Sequence, residues 1–160
     1  TFVKGRRLDD NAQVMLRYAN GARGLLWASQ VAPGHENGLR IRVYGSKGGL
    51  SWQQEQPNQL QWSPLGQPVQ TIARGTPAAN AAAARVTRIP AGHPEGYLEG
   101  FATLYSEIAQ AIRAAQPGAR GKLDRAVHFP TVADGVKGVQ FVEAVVASSK
   151  RGGRWVQLPA

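Results

Sequence analysis

Cysteine is absent from the 160 residues. That excludes a disulfide framework, an iron–sulfur cluster and a thiolate zinc site, and it fits a reducing compartment, so a cytoplasmic location is expected. Methionine occurs once, at Met15, and the sequence opens on Thr1; an excised part of a longer protein is expected. No apolar run approaches the ~20 residues of a membrane-spanning helix. No basic stretch followed by a hydrophobic one marks a signal peptide, so no membrane partner is expected. Acidic residues are also scarce: 10 Asp plus Glu face 19 Lys plus Arg, for a net charge of +9. Such a balance is a first mark of a nucleic-acid binder. Here, however, arginine supplies most of the charge and is scattered from Arg6 to Arg154. The densest groups are only Lys4-Gly5-Arg6-Arg7 and Lys150-Arg151. Phosphate-tracking proteins gather charge on one face or helix. A solvated surface is expected instead, with no nucleic-acid partner.

What is present is a globular composition, 42% hydrophobic, of a length that suits one domain over residues 1–160. Before residue 75 the pattern is that of strands. Val14, Leu16 and Tyr18 alternate with Gln13, Met15 and Arg17 over residues 12–19. Asn20-Gly21 predicts a type I′ hairpin turn, which needs positive φ at both positions. A return strand is expected over about 22–32, broken by Pro33-Gly34. Over 38–45, Leu39, Ile41 and Val43 alternate with Arg40, Arg42 and Tyr44, the pattern of a half-buried antiparallel strand. Gly45 and Gly48-Gly49 form a tight turn. The alternation repeats in Leu50-Ser51-Trp52 and Leu60-Gln61-Trp62, and a weaker strand lies at 68–73. The expectation is a meander of five or six strands.

Residues 75–92 form a connection whose Ala-rich stretch at 78–84 fits either a helical turn or a loop. Two helices follow. Pro94 suits a first helical position and Glu95 the positive end of the dipole. Leu98, Phe101, Tyr105, Ile108 and Ile112 then recur every three or four residues until about Ala115, before Pro117-Gly118. The second helix is expected from Pro130-Thr131, with Thr131 and Asp134 at capping-box spacing. Val132, Val136, Val139, Glu143 and Val146 define its stripes, and Gly152-Gly153 stops it. Residues 155–158 read as a last short strand. Strands followed by amphipathic helices predict an α+β architecture: an open-faced, mainly antiparallel sheet with helices packed on one face. The other face, bearing Tyr44 and Met15, is too apolar for solvent alone, and a second copy of the chain is its expected partner.

Little in the sequence carries chemistry by itself. Gly45-Ser46-Lys47-Gly48-Gly49 resembles a phosphate loop but lies between two strands, without the helix N-terminus that binds phosphate. His35, His93 and His128 lack a second ligand three or four residues away, so no metal site is expected. The most suggestive segment runs from Pro90 to Tyr97, ahead of a helix. There His93 suits a hydrogen bond to a substrate hydroxyl, Glu95 acceptance from one, and Tyr97 stacking. The competing expectation is a plain helix start, with His93 as a cap and Glu95 serving the dipole. No serine triad, carboxylate pair or metal-ligand cluster stands out.

Taken in order, several short strings carry a resemblance. They are Asp9-Asp10-Asn11-Ala12, Asn20-Gly21-Ala22, Ala28-Ser29-Gln30, Glu36-Asn37, Val43 through Leu50, Gly92 through Tyr97, Phe129-Pro130-Thr131, Asp134-Gly135 and Ala147-Ser148-Ser149. Together they resemble the C-terminal domain of the Gfo/Idh/MocA oxidoreductases over essentially the whole chain. The Gly-His-Pro-Glu-Gly-Tyr version is similar to that of sugar- and inositol-type dehydrogenases. The resemblance implies most of the C-terminal substrate and oligomerisation domain of a two-domain enzyme whose N-terminal Rossmann domain binds NAD or NADP. It implies a sugar or polyol substrate, a homo-oligomer formed through the open sheet face, and His93 on the substrate side. The family's dinucleotide fingerprint, its Glu-Lys-Pro lysine and its Asp-x-x-x-His segment have no match here. No catalytic or cofactor-binding residue is therefore carried over, and this part alone is expected to bind no cofactor and to be inactive. The alternative reading is a non-enzymatic self-associating or carbohydrate-binding module.

Overall fold

A computed structural model describes residues 1–119 and 122–159. Among the described residues the fold is an open α+β one of antiparallel sheets and three helices, with no barrel closure. It forms two compact units, Thr1–Glu36 with Pro130–Ala160, and Asn37–Phe129.

The first unit contains the hairpin β1 (Asn11–Arg17) and β2 (Arg23–Ser29). Their register pairs Asn11 with Ser29 and Arg17 with Arg23. The connecting turn is not type I′, because Gly21 takes φ +90° while Asn20, like every described non-glycine residue, has no positive φ. Instead Gly21 N donates to Tyr18 O at 3.0 Å and Tyr18 N to Ala22 O at 3.1 Å. Asn20 Oδ1 accepts from Ala22 N at 3.1 Å. A longer loop thus needs only one left-handed residue, and Gly supplies it. The unit also holds the long helix Val132–Lys150. Thr131 N and Oγ1 both donate to Asp134 Oδ2, at 2.8 and 2.7 Å. The expected capping box forms, and Gly152 and Gly153, both at positive φ, follow the helix. The last stretch is not a strand: residues 154–159 have no ladder partner. Trp155 instead stacks under the Arg17 guanidinium, 3.8 Å from the ring centre.

The second unit is a four-stranded antiparallel meander, β3 (Arg40–Gly45), β4 (Gly48–Gln53), β5 (Gln59–Pro64) and β6 (Gln70–Ala73). The expected single meander is therefore two separate sheets, divided at the connection that carries Pro33 and Gly34. The Gly-rich string is the β3–β4 hairpin turn, pairing Gly45 with Gly48. A side chain on Gly48 would meet Ser63 O at 2.3 Å, so glycine alone fits. Tyr44 packs across its partner Gly49, within 2.8 Å of a would-be Cβ. The Ala-rich stretch becomes a short helix, α1 (Ala81–Arg85), with Asn80 Oδ1 accepting from Ala83 N at 2.9 Å. The next helix, α2, spans Tyr97–Ala114, three residues later than Pro94 would have it. The helix before residue 154 is accordingly α3.

Expectations of burial fail on one point. Among the described residues no hydrophobic side chain is buried, and the buried ones are Asp10, Glu95 and Glu107. Every residue of β3 is exposed rather than half-buried. Edge position removes one neighbour, and a thin sheet offers no second layer to cover its face. The valine stripe of α3 is likewise open, with Val132, Val136 and Val139 all exposed.

Candidate functional site

The site grows from the open end of the β5–β6 hairpin. Asn58 precedes β5 and Arg74 follows β6, and Arg74 N donates to Asn58 O at 2.8 Å, extending the ladder by one step. The Arg74 side chain then turns back onto the incoming loop. Its Nε donates to Asn58 Oδ1 at 2.7 Å, one terminal nitrogen to Ile89 O at 3.0 Å, and the other to His93 O. The same guanidinium lies 2.5 Å from Glu95 Oε2. Arginine's planar fork suits several acceptors held at fixed angles.

Glu95 completes the clamp. Its backbone N–H donates to Asn58 Oδ1 at 3.1 Å. Its two carboxylate oxygens accept from Arg88 N at 3.0 and 3.1 Å, and its side chain is only 5% exposed. Arg88 in turn donates to Thr103 Oγ1 at 2.8 Å on α2. A buried carboxylate is tolerated because each oxygen is paired.

Next along the chain the helix begins. Gly96 N donates to Glu99 Oε2 at 2.7 Å, so Glu99, rather than Glu95, serves the first turn of α2. That Gly96 N–H, with the Glu99 backbone N–H, holds the Glu99 carboxyl below its ordinary value against the opposing effect of burial. Pro57 approaches within 3.1 Å of a would-be Cβ on Gly96, which favours glycine there.

The three residues singled out in the sequence come together at this helix start, in different surroundings. Glu95 is buried, with its oxygens occupied by Arg74 and Arg88. His93 is exposed, and its Nδ1 lies 3.3 Å from Pro90 O. Tyr97 is 66% exposed and tilts against Phe101, with ring centres 4.9 Å apart. Glu95 and Tyr97 lie in the lining of an open cleft of about 490 Å³ formed by residues 55–59 and 94–99, and His93 directly precedes that run in the chain. An imidazole and a phenol beside a cleft can hydrogen-bond and stack on a hydroxylated ligand. Arg74 and Asn58 were missed in the sequence. Asn58 lay in a Pro-Asn turn, a turn signal only, and nothing in the spacing of 58, 74 and 95 connects them.

The other histidines lie elsewhere. His35 meets Trp27 edge-on at 5.8 Å between ring centres, and His128 gives its backbone N–H to Glu107 at 2.8 Å. Among the described residues no group of three His, Cys, Asp or Glu could hold a metal ion. None of the described helices is long and apolar enough to cross a membrane.

A family model described as "Oxidoreductase family, C-terminal alpha/beta domain", of the Gfo/Idh/MocA group, matches residues 2–158. The chain belongs to the Gfo/Idh/MocA oxidoreductase family. It is 36% identical over 158 residues to an uncharacterised oxidoreductase of Bacillus subtilis, covering 98% of this chain and 40% of that protein. An oxidoreductase from Sinorhizobium meliloti superposes with a TM-score of 0.91 at 53% identity, covering 98% of this chain and 44% of its own. An inositol dehydrogenase homologue from Azotobacter vinelandii, crystallised with NADH and myo-inositol, gives 0.88 at 43% identity, over 94% of this chain and 40% of that one. The chain thus spans less than half the length of these Gfo/Idh/MocA relatives. The family implies a nicotinamide dinucleotide, but the glycine-rich turn at 45–49 does not fit its phosphates: the space beside Gly48 is filled by Ser63 and Trp62.

Proposed function

We propose that this domain forms the substrate side of an NAD(P)-dependent sugar or polyol dehydrogenase of the inositol type. The observation that carries this reading is the exposed Tyr97 lining the 55–59/94–99 cleft at the start of α2, with exposed His93 just before it on a loop clamped by Arg74, Asn58 and Glu95. Support also comes from the myo-inositol in the Azotobacter homologue, 43% identical to this chain. On this reading the domain orients the polyol, while hydride and proton transfer need groups outside it, so the domain alone is inactive. Cytoplasmic location goes with the same reading. Self-association through the open sheet face completes it, supported by the exposure of Tyr44 on β3.

The test is steady-state dinucleotide reduction by the full-length protein with myo-inositol and a panel of other polyols and aldoses. Turnover of at least one, with its KM raised by His93→Ala, is expected. Absence of turnover across the panel in a protein that binds NAD would refute the reading and favour a carbohydrate-binding or self-associating module.

A further inference from the structure

We propose that Arg74 is a positioning residue for the polyol site, acting through the backbone of His93. The inference rests on the reading of His93 as a substrate contact and adds the group that sets its place. His93 itself is exposed, and among the described residues the hydrogen-bonding approach of its ring is that of Nδ1 to Pro90 O at 3.3 Å. That approach stays within the loop itself and does not tie the imidazole to the sheet. Its main chain is held by its own N–H to Pro90 O at 3.3 Å within the loop, and from outside the loop by the Arg74 guanidinium on the carbonyl oxygen. Two more anchors come from that guanidinium on either side of His93, Ile89 O before it and the Glu95 carboxylate after it.

Arg74 is itself rigid. It is 16% exposed, its Nε is held by Asn58, and its backbone continues the β5–β6 ladder. The position of His93 is thus referred to the sheet through the Arg74 cation, beside the direct bond from Glu95 N to Asn58 Oδ1 two residues later, across a loop that includes the left-handed turns at Gly75 and Gly92. Small displacements of a substrate-positioning group cost rate or affinity far beyond their size. Lysine keeps the charge of arginine but cannot address Asn58, Ile89, His93 and Glu95 together.

In the full-length enzyme, Arg74→Lys should raise the polyol KM roughly tenfold, with kcat within about twofold and the dinucleotide KM unchanged. The double variant His93→Ala/Arg74→Lys should resemble His93→Ala alone, because residues acting through one contact are not additive. Equal KM values for Arg74→Lys and the wild type would overturn the proposal, as would additive effects in the double variant. Should Arg74→Lys lose its cooperative thermal transition, Asn58→Ala carries the test. It removes the oxygen that accepts from both Arg74 Nε and Glu95 N and leaves the ion pair, and an unchanged polyol KM there overturns the proposal equally. The two readings fail differently. If His93→Ala leaves the polyol KM unchanged, both fall; if it raises KM and the Arg74 and Asn58 variants do not, only the positioning role falls.

Discussion

Glu107, in the middle of α2, holds Arg85 at the end of α1, and its second oxygen accepts the His128 N–H at 2.8 Å. The Glu107 side chain is 3% exposed. One buried acid thus joins a short helix, a long one and the segment after it, where no apolar core does so. The Arg85 hydrogen bond and then the His128 N–H hold its carboxyl below the ordinary glutamate value of 4.5, against burial.

A carboxyl depressed in the folded state stabilises the fold above its unfolded value, and that contribution is lost as pH falls through the folded one. At Asp10, burial pushes upward, but the Val3 and Phe2 N–H groups and Arg6 outweigh it, so it acts in the same sense. Glu99 does too. Urea unfolding followed by circular dichroism should show stability falling from about pH 5 downward. Glu107→Gln should be less stable at neutral pH and lose less on acidification. An unchanged acid slope in that variant would count against the assignment.

Gly48 takes φ +151°, with Ser63 O 2.3 Å from the position a Cβ would occupy. Gly48→Ala should therefore cost about 1–3 kcal/mol from backbone strain, with a further loss from the clash against β5. A urea midpoint equal to the wild type would contradict this.

Removing the acceptor of the α3 cap should cost about 1 kcal/mol. Asp134→Ala leaves Thr131 N and Oγ1 without the oxygen they share. Thermal melts of this variant are the direct check, and a melting temperature at or above that of the wild type would speak against the cap.

Calorimetry of this chain with NAD and NADP separates the proposed division of labour from its rivals. No heat of binding is expected from the isolated chain, whereas the full-length protein should bind. Micromolar affinity in the isolated chain would sink that expectation. Nucleic-acid titrations should give no affinity that falls steeply with salt, despite the +9 charge.

Much of the fold was legible because it rests on local chemistry. Alternation in residues 12–19 and 38–45 gave β1 and β3, and glycines at 45, 48 and 49 gave the hairpin between β3 and β4. Thr131 and Asp134 gave the start of α3. Local signals misled where two principles competed. Pro94 suits a first helical turn, but Glu95 is drawn to Arg74 and Arg88 and Glu99 takes the capping role, so α2 starts at Tyr97. Asn20-Gly21 gave the turn but not its type, since a longer loop needs only Gly21 at positive φ.

For the site, the sequence by itself determined that an imidazole, a carboxylate and a phenol stand within five residues ahead of a helix. It also determined the family resemblance, through an ordered set of short strings. Only the tertiary structure decided which of the three faces solvent. Burial of Glu95 follows from the nearby Arg88 and from Arg74 and Asn58, which are distant in sequence and whose convergence depends on the β5–β6 pairing that sets Asn58 beside Arg74. Side-chain type and helical spacing are local properties, readable in one dimension. Which polar group closes on which is set by strand register, and register is a property of the folded chain.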